Sequence, residues 1–344
     1  MKVIYWNMSK ELHPLTGTKR YEDELFKNVK RFGKNIEVER IQRANNKVIG
    51  STFVSWLFRY KCKDADIVHA TEETLGPVLS FRKRICNKPK FIITVHDLIP
   101  LLYPSTIKDM TTMIKWRLVP SALKNVDRII AISYFTKKEI MRLIGIDENK
   151  ISVVYQGVDH SRYHPMNKRE CKERLGLNPD EKYILVVASN EERKRMDLVK
   201  RIFDEVRRQR EDVKLIKAGY AEKLTDEGII NTGYIPEPEM PVLFNAADIY
   251  LHTSEYEGFG LPILEAMACG VPIITSNKAA IPEIVGSYGE MIDLDSENVV
   301  ELFTERILKG LDKGINLKAI ERSKSFSWLK TAEETIKVYE EVVR

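Results

Sequence analysis

The sequence predicts an α/β fold built from two domains with parallel sheets. At 344 residues the chain is longer than one hydrophobic core usually serves, so two domains are expected. Short apolar runs of strand length alternate with longer segments of helical periodicity, a pattern typical of βαβ units. We therefore expect two doubly wound, Rossmann-like domains that face each other across a cleft, with ligands at the carboxyl ends of the strands.

Each half of the chain is expected to supply six strands, because each contains six short runs rich in Val, Ile, Leu and aromatic residues. In the first half these runs cover residues 2–6, 36–41, 66–70, 91–96, 128–133 and 151–155. In the second half they cover residues 183–189, 213–218, 229–234, 248–253, 272–276 and 291–294.

A polar stretch with two prolines, HSRYHPMNKRECKERLGLNPDEK at 160–182, separates the two sets of strands. It predicts a linker followed by a short helix. We therefore place a domain boundary near residue 165, with an N-terminal domain at 1–165 and a C-terminal domain at 166–329. The final segment has apolar residues at helical spacing, so 330–344 is expected to form a closing helix that is a candidate to pack back on the first domain.

Composition indicates a folded protein, with 43% hydrophobic and 31% charged residues. The four cysteines lie far apart without metal-ligand spacing, which argues against a disulfide framework or a zinc site and fits a reducing cytoplasm. The chain opens on an apolar strand without a leader pattern, and no apolar run is long enough to span a bilayer. Any membrane contact is therefore expected to be peripheral.

Charge is unevenly distributed along the chain. Residues 1–165 hold 29 Lys and Arg against 17 Asp and Glu, whereas residues 166–344 hold 26 against 33. The basic half suggests an anionic partner, such as lipid head groups, substrate phosphates or nucleic acid, although an ordinary solvated surface explains it as well. No base-stacking or groove-reading motif accompanies the charge, so we do not expect nucleic-acid binding.

The most informative stretch is SEYEGFGLPILEAMACGVP at 254–272, which follows a buried strand. Pro262 suits the first turn of a helix, and Gly258 and Gly260 let the backbone turn tightly before it. The amides of Phe259–Leu261 then become N–H groups at a helix N-terminus, which attracts a phosphate.

Two carboxylates flank this turn. Glu257 precedes the helix and Glu265 lies one turn into it, so both can border the same concavity and accept hydrogen bonds from sugar hydroxyls. The alternative is a capped helix with Glu257 near its positive end and Glu265 on a solvated face. That alternative does not explain why two glycines and two acids occur together.

The stretch SEYEGFGLPILEAMACGVPIITS closely resembles the C-terminal signature of the retaining family 4 glycosyltransferases of the GT-B fold, in which seven residues separate two glutamates. Other segments match this family in the same order, and the match covers nearly the whole chain. They are TVHDLIP at 94–100, DRIIAISYFTKKEI at 127–140, ISVVYQGVD at 151–159, NEERKRMDLV at 190–199 and TGYIPEPEMPVLFNAADIYLHTS at 232–254.

The resemblance implies a hexosyltransferase that moves a mannose- or glucose-type sugar from a nucleotide diphosphate donor to a hydroxyl of a saccharide or lipid-linked acceptor. Its setting would be the synthesis of cell-surface polysaccharide or glycolipid. The resemblance also implies that 1–165 is the acceptor domain and 166–329 the donor domain. In this family retention is described as a front-face process in which the leaving phosphate assists the incoming hydroxyl, so neither an enzymic nucleophile nor a metal or other cofactor is expected. The donor is expected to be GDP-mannose or a UDP-sugar.

The resemblance also assigns roles to residues. Glu257 would contact donor-sugar hydroxyls near the reacting centre and Glu265 would hold the ribose. Arg193 and Lys194 would neutralise the diphosphate, with Lys194 the stronger candidate, while His96 would reach the donor sugar. His96, Lys194 and Glu257 are therefore the predicted catalytic residues. The remaining donor contacts implied are the turn Gly258, Phe259, Gly260 and Leu261, and the nucleobase segment Gly233, Tyr234 and Ile235.

The loops near the amino-terminal strands carry further expected contacts: Gly17, Lys19 and Asp97. Many family members have a second glycine where this chain has Lys19, which makes close approach of the backbone to a ligand less assured but supplies a charge. The aromatic and basic stretches FVSWLFRYKCK at 53–63 and FRKRICNKPK at 81–90 suit an anionic membrane surface. We therefore expect a cytoplasmic protein that works at the inner face of the membrane.

Three other interpretations of the sequence remain open at this point. Asp64–Asp66 and Asp293–Asp295 have the spacing of a metal-binding Asp-x-Asp triplet, but each is better explained as a strand boundary, so no metal is expected. A catalytically silent sugar-nucleotide-binding subunit is less consistent with the joint presence of the predicted catalytic residues. An epimerase of the same fold would alter a sugar nucleotide without any acceptor.

Overall fold

Two six-stranded parallel sheets organise the protein, which we describe from a computed structural model over residues 1–7, 17–41, 64–85, 88–107, 109–189, 191–219 and 224–344. One unit comprises Met1–Gly157 together with Trp328–Arg344, and the other comprises Val158–Ser327. Each unit contains one sheet with helices packed on it. The predicted pair of doubly wound α/β domains is therefore confirmed.

The first sheet has the order β2-β1-β3-β4-β5-β6, with every neighbouring pair parallel. The strand order reverses between β1 and β3, and β3 is buried along its whole length. The strands are β1 (Lys2–Trp6), β2 (Glu37–Ile41), β3 (Ile67–Ala70), β4 (Lys90–Val95), β5 (Arg128–Ala131) and β6 (Ile151–Val153).

The helices of the first unit begin and end at recognisable signals. The Ser133 hydroxyl accepts a hydrogen bond from the amide of Thr136 at 3.0 Å, which caps α5, and Gly145 ends that helix with a φ of 71°. The helices are α1 (Gly17–Phe32), α2 (Gly76–Ile85), α3 (Ile99–Leu102), α4 (Met110–Asn125) and α5 (Tyr134–Ile144), joined by the C-terminal α13 (Trp328–Val343).

The C-terminal helix α13 packs against α1 and belongs to the first unit. Its Tyr339 hydroxyl is fully buried, 2.6 Å from His69 Nδ1 and 2.7 Å from the Tyr5 hydroxyl. Because buried polar groups need partners, this shared hydrogen bonding fixes the helix on the sheet.

The second sheet has the order β12-β11-β10-β7-β8-β9, again parallel throughout. Its order reverses between β7 and β10, and ligands of doubly wound sheets bind at such a switch point. The strands are β7 (Lys182–Val187), β8 (Val213–Ala218), β9 (Ile229–Gly233), β10 (Ile249–His252), β11 (Ile273–Ser276) and β12 (Glu290–Ile292).

The helix Met196–Gln209 buries one apolar face, with Leu198, Ile202 and Val206, whereas the helix Leu261–Ala268 is buried nearly all round. The helices of the second unit are α6 (Lys168–Arg174), α7 (Met196–Gln209), α8 (Met240–Ala246), α9 (Leu261–Ala268), α10 (Ile281–Val285), α11 (Val299–Gly310) and α12 (Leu317–Ser323). The short helix predicted within 160–182 is α6. In the part of the chain that the structure describes, no helix combines the length and apolar character needed to cross a bilayer.

Candidate functional site

Two loops meet at the switch point of the second sheet, one following β7 and the other following β10. The Glu255 amide donates to the Arg193 carbonyl at 2.8 Å, and the Thr253 hydroxyl donates to the Lys194 carbonyl at 2.9 Å. The loop after β10 is thus bound directly to the backbone that carries the two cations. The structure therefore brings Arg193 and Lys194 to Glu257, residues that are more than 60 positions apart in the sequence.

Glu257 is a largely buried carboxylate, with its side chain 12% exposed, and it faces three nitrogen donors. Lys194 Nζ lies 2.5 Å from its Oε1, His252 Nε2 lies 3.1 Å from the same oxygen, and Arg193 Nη1 lies 3.4 Å from Oε2. Burial alone would raise the pKa of Glu257, but Lys194, His252 and Arg193 outweigh it and hold that pKa well below its usual range. The side chain is therefore an anion at neutral pH.

His252 is a member of this cluster that the sequence did not reveal. Burial lowers the pKa of His252 despite the neighbouring Glu257, so its imidazole is neutral. The Tyr250 hydroxyl lies 3.3 Å from its Nδ1. A signal was available in the sequence, because alternate residues of a strand share one face and Tyr250 and His252 precede the glutamate within one short segment.

The predicted turn before α9 is present. Gly260 adopts a φ of 102°, which favours glycine, and its carbonyl accepts the amides of Ile263 at 3.0 Å and Leu264 at 3.2 Å. Phe259 is buried and packs edge-on against Phe326, with ring centroids 6.0 Å apart. Gly258, Phe259, Gly260 and Leu261 thus form a buried, fixed turn at the start of the helix.

Glu265 lies in α9 and is only 2% exposed. The alternative that placed it on a solvated helix face is therefore wrong. The physical reason is that α9 is buried nearly all round, so no face of the helix is open to water. The second unit contains both glutamates of the signature as largely buried side chains.

The ends of β8 and β9 lie at the same edge of the sheet as the end of β7. The Gly219 amide donates to the Gly233 carbonyl at 2.8 Å, and a Cβ added at Gly219 would lie 2.6 Å from the Ala188 carbonyl oxygen. Gly233 has a φ of 66° and Tyr234 after it is 39% exposed, while Ile235 is half-buried. The predicted nucleobase segment therefore borders this edge with main-chain groups.

His96 follows β4 in the first unit, where it is buried against the ring of Tyr21 at a centroid distance of 4.9 Å. Its Nε2 lies 2.9 Å from the Thr71 carbonyl, and the Gln156 side-chain amide lies 3.2 Å from its Nδ1. Burial lowers the pKa of His96 to about 4, so the imidazole is neutral, donates to Thr71 and accepts from Gln156. A sugar hydroxyl could bind Nδ1 only by displacing Gln156.

Glu73, which contacts His96, and its neighbour Glu72 were not predicted. A Glu73 carboxyl oxygen accepts the His96 amide at 3.0 Å. Burial raises the pKa of Glu73 well above its usual value, and burial raises that of Glu72 to about 7. Two adjacent glutamates in the sequence gave no sign of this, because burial depends on the fold around them.

Gly17 and Lys19 were expected in a loop, but they form the first turns of α1. Lys19 is largely buried and its ammonium lies 2.7 Å from Asp23, four residues later, which favours the helix over a loop. The Asp97 carboxylate accepts the amide of Ile99 at 3.0 Å and so shapes the turn after β4.

The Asp-x-Asp triplets occur beside strands and bind protein groups. Asp66 accepts the backbone amide of Lys2 at 2.8 Å, while Asp293 and Asp295 both pair with Lys278. Across the described residues, no group of three or more His, Cys, Asp or Glu side chains is arranged to hold a metal ion. The segment 53–63 lies outside the described residues, as do residues 86 and 87 of the basic stretch 81–90.

Comparison with known proteins gives matches in both halves of the chain. Residues 18–162 match the sequence model of Glycosyltransferase Family 4, and residues 167–324 match that of Glycosyl transferases group 1. The chain is also 27% identical to O-antigen chain mannosyltransferase B of Escherichia coli, over 95% of this chain and 96% of that protein.

Solved structures resemble the protein over its full length. Sucrose-phosphate synthase from Thermosynechococcus elongatus matches with a TM-score of 0.77 at 17% identity, covering 98% of each chain. HepE from Anabaena, in complex with UDP and glucose, matches with a TM-score of 0.75 at 16% identity, covering 99% of this chain and 100% of that one. The GT-B fold predicted from the sequence is thereby confirmed.

Proposed function

Because the chain belongs to the group 1 glycosyltransferases of family 4, we propose that it transfers a mannose- or glucose-type hexosyl unit from a nucleotide diphosphate sugar to an acceptor hydroxyl with retention of configuration. The observation that carries the proposal is the buried Glu257 carboxylate beside Lys194 and Arg193 at the switch point of the second sheet. Such a site offers an acceptor for sugar hydroxyls next to cations for phosphate.

The cations have a defined task in this chemistry. Departure of the sugar leaves additional negative charge on the nucleoside diphosphate, and fixed positive groups stabilise that charge in the transition state. Lys194 and Arg193 supply them, together with the N-terminus of α9. Because the chain itself supplies this charge, we propose that the reaction proceeds without a metal ion.

Glu257 then acts as a hydrogen-bond acceptor for the donor sugar and does not attack the anomeric carbon. Its pKa is held well below the usual range, and a weakly basic carboxylate is a poor nucleophile. Retention would follow from a front-face reaction in which the leaving phosphate takes the proton of the incoming hydroxyl. The C–O bond to phosphate breaks as the bond to the acceptor oxygen forms on the same face.

GDP-mannose and a UDP-sugar such as UDP-glucose are the two donors to compare. The sequence similarity to a mannosyltransferase favours GDP-mannose. The similarity in fold to a protein solved with UDP and glucose is the reason to test UDP-glucose as well. Main-chain groups at Gly233–Ile235 would line the base, and main-chain groups alone discriminate poorly between guanine and uracil.

The acceptor is proposed to be a glycan or lipid-linked saccharide of a cell-surface polysaccharide or glycolipid, met at the inner face of the membrane. The outer face of α4 supports contact with anionic lipid. Met110, Ile114 and Leu118 recur every fourth residue and are 66%, 50% and 50% exposed, with Arg117 and Lys124 on the same side. Exposed apolar side chains next to cations suit an anionic bilayer surface.

The test is release of nucleoside diphosphate from GDP-mannose and from UDP-glucose, measured with and without a mannan or lipid-linked oligosaccharide acceptor and with chelator present. Transfer by the wild type and its loss in Glu257→Gln would agree with the proposal. An altered sugar nucleotide formed without acceptor would identify an epimerase instead. Binding of a sugar nucleotide with neither hydrolysis nor transfer to any acceptor would identify a silent binding subunit.

A further inference from the structure

We propose that His252, fixed in orientation by Tyr250, is a positioning residue that holds one oxygen of Glu257 and thereby presents the other oxygen to the donor sugar. This inference rests on the proposed function and concerns the same site. It goes further by adding two residues of strand β10 that the signature of two glutamates does not include.

The hydrogen bonds allow only one arrangement of protons. An ionised Glu257 can only accept, so His252 Nε2 must carry the proton in the 3.1 Å contact to Oε1. His252 Nδ1 is then an acceptor, and the Tyr250 hydroxyl at 3.3 Å donates to it. The two rings also stack at an interplanar angle of 25°, and both residues are at most 3% exposed, so the imidazole has little freedom to turn.

His252 is held more rigidly than Lys194, the other donor to Oε1 of Glu257. It belongs to β10 and pairs in register with Thr275 of β11, whereas Lys194 reaches the carboxylate on a flexible four-carbon stem from the end of the short 3₁₀ helix Glu192–Lys194. A donor diphosphate competes with Glu257 for the Lys194 ammonium. When Lys194 turns to phosphate, the His252 N–H stays in place and continues to orient Oε1.

The same geometry assigns different tasks to the two carboxylate oxygens. Within the described part of the chain, Oε1 receives Lys194 at 2.5 Å and His252 at 3.1 Å, whereas Oε2 has the longer 3.4 Å contact to Arg193. Oε2 is therefore the oxygen that a sugar hydroxyl engages. Loss of the His252 donor would let the Glu257 carboxylate rotate and would weaken its hydrogen bond to the sugar hydroxyl. The contacts between the protein and the donor phosphates would stay intact.

Three variants separate these effects. His252→Gln keeps an N–H near the position of Nε2, His252→Asn does not, and Tyr250→Phe removes the group that fixes the tautomer. Thr275→Val is the matched control, because it removes a buried hydroxyl from the register partner of His252 without touching Glu257. All are compared with wild type for kcat and KM with GDP-mannose and UDP-glucose, for Kd with GDP and UDP, and for thermal unfolding.

We expect His252→Asn to lower kcat roughly 10- to 100-fold, as the loss of a hydrogen bond to a charged group does, with Kd for the nucleoside diphosphate within about twofold of wild type. On a logarithmic scale, His252→Gln should recover at least half of the kcat that His252→Asn loses. The kcat of Tyr250→Phe should lie between those of His252→Asn and wild type. Thr275→Val should have the kcat of wild type.

Three results would overturn this inference while leaving the proposed function intact. They are a wild-type kcat in His252→Asn, an equal loss of kcat in His252→Asn and Thr275→Val, and a loss of nucleotide affinity in His252→Asn as large as its loss of kcat. Absence of both nucleotide binding and donor cleavage in the wild type would instead overturn the proposed function, and this inference with it. Nucleotide binding and donor cleavage by the wild-type protein therefore distinguish failure of this inference from failure of the proposed function.

Discussion

The ammonium of Lys194 lies 2.5 Å from Oε1 of Glu257, which joins the loops that follow β7 and β10 in one buried ion pair. Removing one partner of such a pair leaves an uncompensated charge in a poorly hydrated place. The pair is therefore both the structural link between two parts of the signature and the proposed point of contact with the donor.

Lys194→Ala should weaken GDP or UDP binding and lower donor turnover at least about 100-fold, because the main cation for the leaving diphosphate is lost. Calorimetry with each nucleotide and a turnover assay measure the two effects. Lys200→Ala, which removes a lysine from the exposed side of α7, is the matched control and should behave as wild type. Equal turnover in the two variants would remove Lys194 from the reaction.

Gly219→Ala should destabilise the protein by about 2 kcal/mol or more, because the new methyl group meets a backbone carbonyl and the residue keeps a φ of 108°. Chemical denaturation gives the free energy of unfolding. Gly176→Ala is a suitable comparison, since Gly176 has a φ of 68° but no atom within 4 Å of an added Cβ. Equal losses in both variants would show that the Ala188 contact does not matter.

Acid should destabilise the first unit through His69, whose pKa is lowered by burial to about 3 from 6.5. The unfolded chain then binds more protons than the folded one below pH 6.5, so the stability contributed by neutral His69 is present above that pH. It is lost as the pH falls toward 3, by about 1.4 kcal/mol for each pH unit.

Denaturation of wild type and His69→Gln at pH 7.5, 6.5 and 5.5 checks this contribution. The raised pKa of Glu72 acts in the opposite direction, because a group protonated in the folded state adds stability as the pH falls below about 7. The difference between the two proteins isolates His69, and the variant should lose less stability on acidification. Parallel curves would contradict the assignment.

Ile114→Glu and Leu118→Glu should reduce binding to vesicles that contain anionic lipid, because each places a negative charge on the apolar face of α4. Co-sedimentation at low and physiological salt measures the effect. Ile315→Glu changes a similarly exposed apolar residue, 52% exposed in the second unit, and should bind as wild type does. If all three proteins bind equally, α4 is not the contact surface.

Much of the fold could be predicted from the sequence. All twelve expected strands are present, because short runs rich in β-branched and apolar residues between helical segments are what a buried parallel strand requires. Two strands, β1 and β8, match their predicted bounds, and the ends of the others differ by at most two residues, as for β10, which ends at His252 although the predicted run continues to Thr253. The order of strands within each sheet could not be predicted from these runs.

The candidate site was only partly predictable. The glycines and acids of 254–272 indicated a turn and paired carboxylates, because a simple capped helix does not explain why two glycines and two acids occur together. The ion pair between Lys194 and Glu257 depends on two loops that meet in space, and the bond from His252 depends on which face of β10 points toward them. The alternation of Tyr250 and His252 along the strand was a local signal for the second contact, whereas no local sequence pattern indicates the first.

The central claim is that Lys194 and the start of α9 bind the diphosphate of a sugar nucleotide beside Glu257. The most direct measurement is a crystal structure of the protein with GDP or UDP bound. We predict phosphate oxygens within hydrogen-bond distance of Lys194 Nζ and of the backbone amides at Gly258–Leu261. A nucleotide bound with its phosphates away from both groups would contradict the account.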